Sequence, residues 1–248
     1  MNQCYKMTIA YEGTNYAGWQ VQPNGLSIQE VIETKLQLIL KEKVKIRGSG
    51  RTDAKVHAKN QVAHFHFSSK IDLKKVIHSL NALLPADIQV KSIEEADENF
   101  HAQYSAVKKI YHYHIQTDPF KNPFKWRYSW HMRQKLDLNA LAQAAKLFLG
   151  THDFTSFANE ADSGSAAHDA TRTLMRLDLI EEEGGFRLEF EGDGFLYKMV
   201  RNLTGFLIEV ARGKRKAAEI PIILAAKDRK KAGPAAPPEG LFLVSVHY

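Results

Sequence analysis

Arg47-Gly48-Ser49-Gly50-Arg51-Thr52-Asp53-Ala54-Lys55-Val56-His57-Ala58 leads into Gln61-Val62-Ala63-His64-Phe65-His66-Phe67, a glycine-bearing loop that feeds an alternating strand. The two glycines permit a tight turn and a close approach of backbone to a ligand, so Arg51 and Asp53 project from the loop. One carboxylate therefore stands beside two arginines, Arg47 and Arg51. Opposite charge nearby favours the ionised form of a carboxylate, which makes Asp53 a candidate nucleophile or base acting on a polyanion. Two nucleotide motifs are excluded. The third glycine of a dinucleotide fingerprint would fall at Asp53, and no Gly-Lys-Ser/Thr follows as in a P-loop. Taken alone, Arg51-Thr52-Asp53 also fits a surface turn with a local ion pair.

Outward from this loop the pattern is mixed. Residues 4–11 alternate, with Met7, Ile9 and Tyr11 on one side of a strand. Ser27 and Glu30 form a capping box, and Ile28, Val31, Ile32, Leu36, Ile39 and Leu40 recur at helical spacing. Asp72 caps a second helix whose inner face is Leu73, Val76, Ile77 and Leu80, and a strand over 88–93 follows. A second half opens near Ser105 with a strand through 110–115, then a helix over 137–149 ended by Gly150. Residues 171–180 and 186–192 read as a hairpin. Leu196, Met199, Val200, Leu203, Leu207 and Val210 form a third helical stripe, and 241–247 a last strand. The fold class is α+β, in two halves, residues 1–104 and 105–248.

The chain has 248 residues, enough for two modest domains, and 34 Lys plus Arg against 28 Asp plus Glu give a net charge of +6. That balance suits a polyanionic partner without requiring one. Cys4 is the single cysteine, which excludes a disulfide framework and a cysteine zinc site and fits a reducing compartment. No apolar signal core or membrane-length apolar run is present, so a soluble cytoplasmic protein with no membrane partner is expected.

Further chemistry lies in the second half. Lys108-Lys109-Ile110-Tyr111-His112-Tyr113 is a strand bearing two lysines and two tyrosines, and on residue pattern alone Tyr111 reads as a core tyrosine on an inward strand face. In Gly194-Phe195-Leu196-Tyr197-Lys198-Met199-Val200-Arg201-Asn202, Lys198 and Arg201 are three apart and are expected on one helix face lining a basic cleft, although a solvated face is the ordinary reading. His64 with His66 and His112 with His114 pair at spacing two, which can chelate a metal, but no Cys or His-Glu-x-x-His pattern accompanies them, so no metal is expected. The run Lys121, Phe124, Lys125, Trp126, Arg127, Tyr128 and Trp130 fits either RNA contacts or a subunit interface.

The loop around Asp53, the Tyr111 strand, the 194–202 segment and the tail 227–241 together resemble the tRNA pseudouridine synthase A family, over nearly the whole chain. The resemblance implies isomerisation of uridine to pseudouridine at positions 38, 39 and 40 of the tRNA anticodon stem-loop, without a cofactor. It implies Asp53 as the catalytic carboxylate, with Arg51 contacting RNA near the target nucleotide. Tyr111 would stack on the base, Arg201 would pair with the aspartate, and Lys198 would bind substrate. It also implies a homodimer with one tRNA spanning both subunits, and two ferredoxin-like (RRM-like) halves sharing a central, mainly antiparallel sheet with a cleft between them. One position departs: Lys55 stands where the family usually has glycine. Competing readings are a paralogue with altered RNA targets, a non-catalytic basic RNA-binding protein, and a metal-dependent nuclease using the histidine pairs.

Overall fold

The computed structural model describes residues 3–159 and 169–248. The chain divides into two compact units, Met1–Val107 with Phe242–Tyr248, and Lys108–Leu241. Both are α+β with mostly antiparallel strands.

In the first unit β1 (Gln3–Tyr11) pairs antiparallel with β3 (His57–Phe67) on one side and with β4 (Ile88–Ala96) on the other. The two-residue β2 (Arg47–Gly48) lies antiparallel on β3. The final strand β10 (Leu241–His247) runs parallel to β3, with Phe242 opposite His57 and Leu243 opposite Ala58. Alternation puts Tyr5, Met7, Ile9 and Tyr11 on the buried side of β1. They meet Ile28, Ile32 and Leu36 of α1 (Ile28–Leu40) and Val76 and Leu80 of α2 (Leu73–Leu83) in the core. The caps are those the sequence dictates: Ser27 Oγ accepts from the Glu30 N–H at 3.2 Å, and Asp72 Oδ1 from the Lys75 N–H at 3.1 Å.

The second unit is built on the strand order β5 (Lys108–Gln116), β9 (Gly185–Gly192), β8 (Thr171–Glu182), β7 (Gly150–Asp153), with the short β6 (Trp130–His131) parallel to β5. The β8–β9 hairpin turns at Glu183-Gly184, where Gly184 takes φ +75°. Helix α3 (Leu138–Lys146), capped by Asp137, contributes Leu141, Ala144 and Ala145 to the core. Helix α4 (Met199–Ala211) is buried on nearly every side, and Phe206 packs edge-on to Phe148 and Phe157.

Helix α5 (Glu219–Ala226) has no clean amphipathic stripe and carries Pro221. The proline sits in the first turn, where its missing N–H has no intrahelical partner to lose.

Candidate active site

A buried polar relay holds the Asp53 loop. Beyond β2, the Ser49 N–H donates to Val62 O at 2.7 Å, and Ser49 Oγ donates to Gln61 Oε1 at 2.7 Å. Gln61 Nε2 donates to Gly50 O at 2.9 Å and lies 3.5 Å from the Tyr11 hydroxyl, which is 2.8 Å from Thr52 Oγ1. Ser49, Gln61, Tyr11 and Thr52 are all buried. In such a relay any rearrangement strands a donor or acceptor away from water, so the loop has one low-energy geometry. Burial pushes the Tyr11 phenol well up from its ordinary pKa, against the opposing hydrogen bonds of Thr52 and Gln61, which keeps its proton in the relay.

The segment after β1 grips the loop from its other side. The Trp19 N–H donates to Thr52 O at 3.1 Å, the Lys55 N–H to Tyr16 O at 3.4 Å, and the Gly13 N–H to His57 Nδ1 at 3.0 Å. Gly18 adopts φ +102°, and a Cβ there would sit 2.5 Å from Thr52 O, so both conformation and space demand glycine. The loop's own turn closes with the Val56 N–H on Asp53 O at 3.2 Å. Asp53 emerges half-buried and Arg51 exposed. Lys55 takes φ +66°, a left-handed conformation held by a residue with a Cβ.

Tyr111, Lys198 and Arg201 belong to the second unit. Tyr111 shares the inward side of β5 with Tyr113 and Ile115, and its ring meets that of Phe195 edge-on at 5.1 Å between centroids. Tyr113 is fully buried, and its hydroxyl donates to Pro237 O at 2.7 Å. Arg201 lies in the first turn of α4, where its Nε donates to Ala236 O at 2.8 Å while the Ala236 N–H returns a bond to Arg201 O at 2.9 Å. The tail segment is thus a strap across α4. It approaches so closely that a Cβ on Gly205 would lie 2.1 Å from Pro234 O.

Lys198 differs from expectation. It is the residue before α4, at φ +59°, with Nζ 5.0 Å from the Tyr197 ring centroid. Spacing of three places side chains on one face only when both residues are helical, and here the chain is still turning into the helix.

Asn202, in the 194–202 segment, is a buried hub. Its Nδ2 donates to Phe157 O at 2.8 Å and Asn159 Oδ1 at 3.1 Å, and its Oδ1 accepts from Arg229 Nη2 at 2.7 Å. Only distant residues satisfy it, so no local pattern announces the role.

The histidine pairs pack within the strands and lie beside hydrogen-bonding or acidic groups. His64 Nδ1 accepts from the Ala102 N–H at 3.1 Å, His114 Nδ1 is 2.8 Å from Glu182, and His112 Nε2 is 3.4 Å from Glu189. Among the described residues no group of three or more His, Cys, Asp or Glu is placed to hold a metal, and no helix is long and apolar enough to cross a membrane. In the basic aromatic run, Lys121 and Arg127 each lie 5.1 Å from the Trp126 ring, and Phe120 and Phe124 are exposed.

The profile of the family described as tRNA pseudouridine synthase matches residues 7–105 and 144–248. The chain is 60% identical over 246 residues to tRNA pseudouridine synthase A 1 of Protochlamydia amoebophila, covering 99% of this chain and 96% of that one. It is 46% identical to tRNA pseudouridine synthase A of Chlamydia muridarum (98% and 91% covered) and 45% identical to that of an Exiguobacterium species (98% and 97% covered). A crystal structure of a Cbf5-Nop10-Gar1 complex aligns with 82% of this chain and 54% of that one, at 18% identity and a TM-score of 0.31, which carries no argument. With the profile spanning both units and full-length relatives at this identity, the chain belongs to the tRNA pseudouridine synthase family.

Proposed function

We propose that this protein is an isomerase converting uridine to pseudouridine at positions 38, 39 and 40 of the tRNA anticodon stem-loop, with Asp53 as its catalytic carboxylate. The observation that carries the reading is the buried relay of Tyr11, Thr52, Gln61 and Ser49 beneath a half-buried aspartate flanked by arginine, in a member of this family. A carboxylate fixed in this way is pre-positioned, so little of the barrier is spent on orienting it.

The reaction breaks the N1–C1′ bond, turns the uracil and joins C5 to C1′; the proton on C5 is lost to solvent and N1 takes one up. Asp53 acts as nucleophile at C1′ or as base at C2′. No oxidation state changes, so no redox cofactor or nucleotide is consumed. Tyr111, half of an aromatic pair with Phe195, offers a face to the extruded base. Arg51, exposed beside Asp53, binds the RNA backbone near the target. Lys198 and Arg201 take the substrate-binding and carboxylate-pairing roles that the resemblance gives them. The antiparallel neighbours β4, β1 and β3, with the short β2 also paired to β3, support a ferredoxin-like first half. A cytoplasmic homodimer binding one tRNA completes the proposal.

Tritium release from a stem-loop carrying 5-tritiated uridine tests it. Wild-type protein is expected to release tritium in the presence of EDTA, and Asp53→Asn to bind the RNA without release. Equal release by both proteins would remove Asp53 from the chemistry; RNA binding with no release by either would favour a different target or a non-catalytic binder.

A further inference from the structure

The apolar rows on the inward side of β5 and β9 pair in order: Ile115 with Phe186, Tyr113 with Leu188, Tyr111 with Phe190. The next pair on that side is Lys109 with Gly192. Strand alternation thus sets a lysine two positions from Tyr111 on the tyrosine's own side, opposite a residue with no side chain. Glycine is required opposite it, because a Cβ on Gly192 would lie 2.9 Å from Thr173 O and 3.2 Å from the Phe195 ring. Phe195 is the ring that meets Tyr111.

A second cation reaches the same corner. Arg172 comes from β8, two residues before Leu174, which pairs with Gly192. Its side chain lies along Gly194, where a Cβ would be 3.3 Å from Arg172 Nε. Its Nη1 donates to Asp169 O and Thr171 O, which orients the guanidinium, and the exposed Asp169 carboxylate is its acidic neighbour. Burial, and then the charge of Arg172, pull the Lys109 ammonium down to a pKa of about 8. Lys109 of β5 and Arg172 of β8 give this corner a positive character that suits an anion.

We propose that Lys109 and Arg172 form a phosphate seat that grips the RNA backbone next to the nucleotide whose base lies on Tyr111. The proposal rests on the reading of Tyr111 as the base platform. Extruding a nucleotide turns its flanking phosphates toward the protein, and a lysine beside an arginine fork suits a phosphodiester better than it suits a base edge.

The test is a binding cycle, read by fluorescence anisotropy of the labelled anticodon stem-loop. Lys109→Gln is expected to weaken binding about tenfold at low salt and to lower the salt slope by roughly one counterion, with Arg172→Gln behaving alike and Lys109→Arg retaining affinity. Replacing either flanking phosphate of the target uridine in turn with a neutral methylphosphonate should reproduce that loss with wild-type protein at one of the two. Combined with Lys109→Gln it should add almost nothing. Independent, multiplying losses or an unchanged salt slope would overturn the seat, and the wild-type arm keeps the test valid should a variant fold poorly. Tritium release by wild-type protein on unmodified RNA is measured in parallel: its absence sinks the catalytic reading, whereas the binding cycle alone decides the seat.

Discussion

The Tyr11 hydroxyl lies 2.8 Å from the Thr52 hydroxyl in a buried contact that ties the end of the first strand to the residue preceding Asp53. Tyr11→Phe removes the link and leaves Thr52 Oγ1 short of a partner. The expected cost is about 1–2 kcal/mol of stability by urea denaturation. Turnover should fall about tenfold, because a loosened loop misplaces the carboxylate. Unchanged stability and rate would mean that the bonds of Ser49, Gln61, Trp19 and Tyr16 hold the loop without the Tyr11 hydroxyl.

Gly205→Ala tests the strap across α4. A methyl 2.1 Å from Pro234 O forces the tail outward and with it Ala236, the acceptor for Arg201 Nε. Overpacking of this kind costs about 1–3 kcal/mol, and tritium release should drop even where the variant remains folded. A variant with wild-type melting temperature and activity would show that the strap yields freely.

Lys55→Gly relieves a left-handed residue at φ +66°. A gain of about 1 kcal/mol is expected, reduced by glycine's greater freedom in the unfolded chain. Thermal denaturation measures it, and a loss of stability would indicate that the lysine side chain supplies compensating contacts. Pseudouridine mapping in tRNA from cells carrying this variant reports whether target choice moves with it.

Stability should fall with acid through His64. Burial, then the neighbouring His101, His66 and Arg47, hold its imidazole down at about 4, against 6.5 for an unperturbed ring. The folded state keeps Nδ1 free of a proton to accept from the Ala102 N–H. The unfolded chain binds that proton first, so this contribution is complete above pH 6.5 and is lost as pH falls towards 4. The expected loss is on the order of 3 kcal/mol across that window, and His64→Gln should flatten the slope of urea-derived stability against pH. An identical slope in the variant would place the acid sensitivity elsewhere.

What was legible in the sequence follows range of interaction. Ser27 and Asp72 are caps that act within three residues, and each capped its helix. The alternation of Met7, Ile9 and Tyr11 reports a buried strand side for the same reason. Residues satisfied only by distant parts of the chain were not legible in their roles: Gly18 against Thr52, Asn202 against Phe157 and Arg229, Gly205 against Pro234. Helix α5 escaped because Ile220, Ile222, Ile223 and Leu224 form an apolar run that a strand also fits, with a proline inside it. The Asp53 loop was conspicuous, but the relay beneath it draws Tyr11 to Thr52 from 41 positions away.

The parallel pairing of β10 with β3 has a consequence for the order of events on the ribosome. Phe242 and Leu243 are the residues that meet His57 and Ala58, directly after the Asp53 loop, and they are synthesised after the whole of 108–241. Until they emerge, the end of β3 that follows the loop lacks this neighbour, an unpaired edge in a nascent chain that is elsewhere able to condense. Synthesis therefore closes the Asp53 loop's own unit last, and an interruption anywhere in the second unit yields a first unit that still exposes that edge.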